Sequence, residues 1–271
     1  MNKKKPVLAV VILLIIVAGC FACGFFGGKD PAYPDLRNCN LPPGKEFLFG
    51  TDPMGRDVFS MIWHGGRVSL FIGAVSTIVS TAIAMFYGAL SGWAPKWGDR
   101  LLMRLLEIFL SIPNLLAVIF LQAVLGKATI VSISFVIGMT GWMSIAKGIR
   151  TKVRQLKNSG YVVAAKCMGG GFFYVLWKHL KPNFMASIMF MVVMNVRNAI
   201  IAESTLSFMG LGLPVESISW GSMLSMAENA LLGNSWWMIL FPGGLLLVTL
   251  LCITSIGDHL RKSGNQKPGN L

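Results

Sequence analysis

The chain has 271 residues, of which 54% are hydrophobic and only 13% charged, with a mean hydropathy of +0.65. A soluble domain carries roughly a quarter charged residues, so this deficit excludes that class and turns length into a count of membrane spans. The net charge of +13 raises nucleic acid as a partner, and its distribution along the chain excludes it.

A bilayer-crossing helix takes about 20 mostly apolar residues. The first such window, 7–26, follows Lys3, Lys4 and Lys5. Its "VAGC" at 17–20 also resembles a lipoprotein signal cleaved before Cys20, but the run stays apolar through Phe26, long enough to span. Cys20 and Cys23 form a C-x-x-C inside that run, where a small packing role is ordinary for cysteine. With Cys39, Cys167 and Cys252 they make an odd count at irregular spacing, which gives no disulfide framework. The stretch 27–66 is expected outside the membrane, ahead of a membrane domain over 67–258 and a tail at 259–271. Further spans are expected at 68–92, 106–125, 128–146, 184–206 and 236–257. Pro113 should kink the third rather than end it. The fold class is therefore all-α, with six transmembrane helices.

Cations choose the orientation. With the N-terminus inside, segments 1–6, 93–105, 147–183 and 258–271 hold 17 of the 24 Lys and Arg residues. The outer segments hold Lys29, Arg37, Lys45, Arg56, Arg67 and Lys127. This asymmetry puts both termini in the cytoplasm and makes the basic excess a topology signal, not a nucleic-acid footprint.

Catalytic constellations are missing. His64, His179 and His259 form no H-E-x-x-H, there is no G-x-S-x-G, and Gly126-Lys127 is followed by Ala128 rather than a phosphate-binding Ser or Thr. No cofactor is expected on the chain. Energy for uphill work would come from a partner or an ion gradient.

The segment "YVVAAKCMGGGFFYVLWKHLKPN" (161–183) is too polar to cross a bilayer and too apolar for a solvated loop. From about 151 to 168 cations alternate with apolar residues at helical spacing. Gly169 to Gly171 break that helix, Phe172–Leu180 form a second short piece, and Pro182 is expected to close it. An amphipathic hairpin resting on anionic lipid is one reading. Small Ala164, Ala165 and Gly169 favour close approach of another surface.

These residues resemble the cytoplasmic signature of binding-protein-dependent ABC importer permeases: Ala164, Ala165, Gly169, Leu180 and Pro182 match. "GTDPMGRDVFSMIWHGGRVSL" (50–70), "MRLLEIFLSIPNLL" (103–116), "AESTLSFMGLGLP" (202–214) and "SWGSML" (219–224) resemble the peptide/nickel subfamily. The resemblance covers about 50–260. It implies the type I ABC importer transmembrane fold, a second permease subunit, two ATP-binding subunits carrying ATP and magnesium, and an extracytoplasmic solute-binding protein. Tyr161, Val163, Ala164, Ala165, Lys166, Gly169, Leu180 and Pro182 would form the coupling segment that seats on the ATPase. Asp52, Arg56, Asp57 and Trp220 would lie toward the binding protein. The chain departs from the signature at Val163, where the family has Glu, and at Asn158, Ser159 and Gly160, where acidic residues are usual.

Arg197 and Asn198 replace small residues of the subfamily pattern, whereas Glu203 fits it. At 1.5 Å per residue Arg197 lies roughly 22 Å along the helix from Pro182, and Glu203 about 9 Å further. Arg197 and Glu203 stand about 120° apart around the helix and should not pair. An arginine at that depth faces an interior, a cavity or a partner. It either pairs with the second permease or lies, with Asn198 and Glu203, on the translocation path, where it meets a solute carboxylate. Met189, Met191 and Met194 would suit a soft metal ion, but methionine is ordinary packing material, and no metal site is assigned. The expected solute is a di- or oligopeptide or a metal chelate such as nickel. A stand-alone ion-coupled carrier is the alternative, although the chain shows no internal repeat.

Overall fold

The computed structural model describes residues 6–22, 33–214, 217–230 and 235–264. Cys23 and the outer parts of both termini lie outside them. The described residues are helical, with a single isolated bridge between Thr51 and Asp57 in place of any strand. Helix α1 runs Val7–Ala22. An irregular outer segment, with one short 3-10 turn at Leu36–Asn38, leads to α2 (Val58–Trp93). Then come α3 (Lys96–Ser111), α4 (Asn114–Leu125), α5 (Ile130–Gly141) and α6 (Met143–Leu156). Helices α7 (Gly160–Cys167), α8 (Phe172–Val175), α9 (Lys181–Phe208), α10 (Trp220–Ala230) and α11 (Trp237–Gly264) complete the chain.

Helix α2 is the spine. Its 36 residues begin ten residues before the expected span, because Asp57 caps it by accepting from the backbone and hydroxyl of Ser60. Packed on it are α5, α6, α9 and α10. The buried face of α2 is mostly small (Gly73, Ser76, Ser80, Ala84, Gly88, Gly92), so neighbouring backbones come close. At Gly88 a Cβ would stand 2.6 Å from the carbonyl oxygen of Ala146, which only glycine avoids. Ser76 and Ser80 donate to the carbonyls of Ser134 (2.9 Å) and Gly138 (2.7 Å) on α5, satisfying their hydroxyls where no water is present.

Among the described residues, three helices are long and apolar enough to cross a membrane, or up to five when each bent pair counts as one span. The third expected span is broken rather than kinked. The helix stops at Ser111, and α4 resumes at Asn114 at 87° to α3. The cause is local: Ile112, preceding Pro113, is forced into extended backbone (φ −84°, ψ 126°), and a helix cannot continue through that conformation. A milder 43° bend at Trp142 separates α5 from α6.

The second correction concerns Pro182, which does not close a helix. Phe172–Phe208 is one 37-residue helical run through it. Leu176–Leu180 form a π turn in which the Lys181 amide reaches the Leu176 carbonyl. That wider turn gives the proline ring room, and the Asn183 side chain donates to the His179 carbonyl at 2.6 Å. Finally, α10 lies between the expected spans at 184–206 and 236–257, where the sequence reading placed no helix.

Candidate functional site

Three features stand out: an exposed face on α7–α8, a polar cleft at the helix bends, and a packed core between them. Helix α7 ends in a Schellman motif. Gly169 takes φ +84°, its amide donates to Lys166, and that of Gly170 donates to Ala165. This turn sends α8 back beside α7. Their inner side chains Val162, Ala165, Val175, Leu176 and Leu180 are buried in one core with Ala84, Leu106, Ile149, Val153 and Phe184. Of the expected coupling residues, Ala165 and Leu180 therefore point into this chain's own core. Tyr161, Val163, Ala164, Lys166, Gly169 and Pro182 are exposed. Sequence reading missed the larger part of the outer face: Met168 at 88% exposure, with Phe173, Tyr174 and Trp177 also exposed. The ammonium of Lys166 lies 4.0 Å over the ring of Trp93, and that of Lys181 lies 3.8 Å over Trp177, so part of the positive charge is held against aromatic faces.

The same core is locked to α3 by a carboxylate. Asp99 is buried and accepts from Ser91 (2.8 Å), from Arg150 at Nε (2.5 Å) and Nη2 (2.7 Å), and from Arg154 (2.7 Å). This polar first turn of α3 precedes the apolar stretch. The hydrogen bond from Arg150 holds the Asp99 carboxyl below the usual carboxylate range, against the opposing effect of burial. Sequence offered one signal for this lock: Asp99 is the only acid in the basic segment 93–105.

The cleft has a volume of about 440 Å³ and is lined by Asn114 beside the α3–α4 break, Ser144 beside the α5–α6 bend, and Asn195 and Asn198 of α9. Two helix breaks thus bring amides and hydroxyls together in an otherwise apolar bundle. Asn198 lines the cleft; Arg197 does not, and reaches it only through Asn198. The guanidinium donates to Asn198 Oδ1 at 3.1 Å and to Thr254 of α11 at 3.4 Å. Asn195 was not anticipated. It is buried and donates to Thr77 of α2 at 3.4 Å. Ile145 lines the cleft and belongs to the core beneath α7–α8, and Met191 lines the cleft and packs against that core. An unbroken path of packed side chains therefore joins the exposed face to the cleft wall.

Glu203 does not line the cleft. It is wholly buried and accepts from Ser219 (2.6 Å), Ser207 (2.9 Å), Ser69 (3.2 Å) and Ser204 (3.4 Å), tying α2, α9 and the start of α10 together. As the helical angle predicts, it does not meet Arg197. The residues expected to face a binding protein mostly turn inward. Asp52 accepts from the backbone amides of Met54 and Arg56 and pairs with the Arg56 guanidinium at 2.6 Å, both side chains being buried. Trp220 is also fully buried, donating from its indole to the Ile62 carbonyl at 2.9 Å. Asp57 serves as the α2 cap. These four residues hold the outer segment in shape; the composition of a polar outer loop cannot distinguish that role from an exposed one.

Long apolar helices around a small-residue spine, bent where a cleft forms, make a multi-pass membrane protein. The chain belongs to the family of binding-protein-dependent transport system inner membrane components, which residues 84–263 match. It is 37% identical over 266 residues to the oligopeptide transport system permease protein OppC of Bacillus subtilis, covering 98% of this chain and 86% of that protein. It is 34% identical over 268 residues to the dipeptide transport system permease protein DppC of the same organism, covering 98% and 83%. Such relatives are permease proteins of transport systems, and the chain is an inner-membrane protein.

Proposed function

We propose that this chain is one of two permease subunits of an ATP-driven importer of di- or oligopeptides. It crosses the membrane six times with both termini cytoplasmic, the apolar parts of α3–α4 and of α5–α6 each forming one bent span. Two ATPase subunits bind ATP and magnesium, and an extracytoplasmic binding protein delivers the solute. Of the two solute classes left open by the sequence, the names of the relatives favour peptides over nickel.

The observation that carries this reading is the continuous core between the exposed α7–α8 face and the cleft. Tyr161, Val163, Met168, Phe173, Tyr174 and Trp177 offer an ATPase an aromatic, apolar surface in place of the missing family Glu. Movement of that surface shifts α6 and α9, which carry the cleft lining. Asn114, Asn195 and Asn198 offer amide donors and acceptors that match a peptide backbone whatever its side chains. Arg197, bonded to the cleft-lining Asn198, is the cation that would meet a peptide C-terminal carboxylate.

A deletion strain auxotrophic for one amino acid, supplied only within a dipeptide, tests this. The intact gene restores growth, whereas Arg197→Gly restores it poorly although the complex assembles. Phe173→Ser/Trp177→Ser abolishes it by loss of the copurifying ATPase. Unimpaired growth of the deletion strain on the peptide, with a fall in cell nickel, would overturn the peptide reading.

A further inference from the structure

A strongly basic groove lies between α3 and α6, apart from both the cleft and the α7–α8 face. Its volume is about 410 Å³. Lys96, Arg100 and Arg104 line it from α3, and Arg150 and Arg154 from α6, against only Asp99 and Glu107, which leaves three positive charges in excess. Arg150 and Arg154 are engaged by Asp99, and Arg104 pairs with Glu107 at 3.2 Å. Lys96 and Arg100 are exposed and have no ion-pair partner among the described residues.

The spacing on α3 adds a second observation. Lys96, Arg100 and Arg104 recur every four residues, forming one stripe. Trp97, Leu101, Leu105 and Ile108 form an exposed apolar stripe immediately beside it. A single helix thus presents cations for an anionic headgroup and, alongside, an apolar track for acyl chain, headed by a tryptophan of the kind that sits at membrane interfaces.

We infer that this groove is a binding site for the phosphate headgroup of an anionic phospholipid, with its acyl chains along the Trp97–Ile108 stripe. Lys96 and Arg100 supply the uncompensated charge, and the Asp99-bound arginines form the fixed wall. The site does not depend on which solute the permease carries. It couples lipid composition to the Asp99 lock, and through it to the position of α6.

The test is native mass spectrometry of the full chain in detergent, titrated separately with phosphatidylglycerol and phosphatidylcholine. Phosphatidylglycerol should bind more tightly, and Lys96→Gln/Arg100→Gln should weaken it roughly thirtyfold, at about fivefold for each cation. Trp97→Ser should weaken both lipids. Equal binding of the two lipids, or an unchanged phosphatidylglycerol affinity in the double variant, overturns the proposal. Displacement by inorganic phosphate at matching concentration, with no effect of Trp97→Ser, would make the groove a free-anion site instead. Loss of a copurifying ATPase without loss of lipid would assign it to an acidic protein surface. Both substituted residues are exposed and unpaired, so the double variant should keep the wild-type melting temperature. If it does not, each single substitution should still show its fivefold effect.

Discussion

Replacing Asp99 by asparagine keeps the shape of the side chain but removes the charge that joins α3 to α6. Asp99 accepts four hydrogen bonds, three of them from guanidinium groups. Removing one partner of a fully buried pair costs about 3–5 kcal/mol. Here the Arg150 side chain is 24% exposed and that of Arg154 45%, so water relieves part of the loss. The expected cost is about 2 kcal/mol, a fall in melting temperature of about 4–8 °C for a chain of this size. Intrinsic tryptophan fluorescence of the detergent-purified chain reads the transition. A double-mutant cycle with Arg150→Met isolates the pair: Asp99→Asn/Arg150→Met should cost less than the two singles together by about 1–2 kcal/mol. Arg150 lowers the folded-state pKa of Asp99, so this contribution is complete above the ordinary carboxylate range and declines as pH falls through it. Wild-type and Asp99→Asn melting temperatures should therefore converge in acid. Additive single costs, or a gap that persists in acid, would refute the lock.

Gly88→Val would drive a side chain into the Ala146 carbonyl, 2.6 Å from the new Cβ, and Ile149 Cβ, 2.9 Å from it, costing about 1–3 kcal/mol in melting experiments. A stable variant would mean that α2 and α6 are not in close contact there. Glu203→Leu would leave the hydroxyls of Ser207 and Ser219 without their acceptor at a cost of about 3 kcal/mol. Proteolysis at residues 217–219 should rise with it, and unchanged protection would show that the four serines are satisfied otherwise.

Much of this architecture was legible in the apolar periodicity. The window at 184–206 sits within α9 and that at 236–257 meets α11 to within one residue, because a long, mostly apolar run must satisfy its backbone internally in a membrane. The turn at 169–171 was legible from its glycines, and Gly169 ends α7 as read. Two prolines misled, for opposite reasons. Pro113 acts through the backbone of Ile112 and breaks the span, whereas Pro182 is absorbed by a π turn. Nothing in either local sequence states which will happen, because the answer depends on whether neighbouring turns can widen. Asp52 and Trp220 were read as outward-facing from their place in an outer segment; their burial comes from contacts with Arg56 and Ile62.

By itself the sequence determined that the chain crosses a membrane and which residues are too costly to leave facing hydrocarbon. Those are properties of transfer free energy, residue by residue. Only the tertiary structure decided which way each side chain turned: Ala165 and Leu180 into the core, Phe173 and Trp177 outward, Glu203 onto four serines, and Asn198 into a cleft. Those choices depend on partners distant in the chain, and a helical period alone does not specify which neighbour each face will meet.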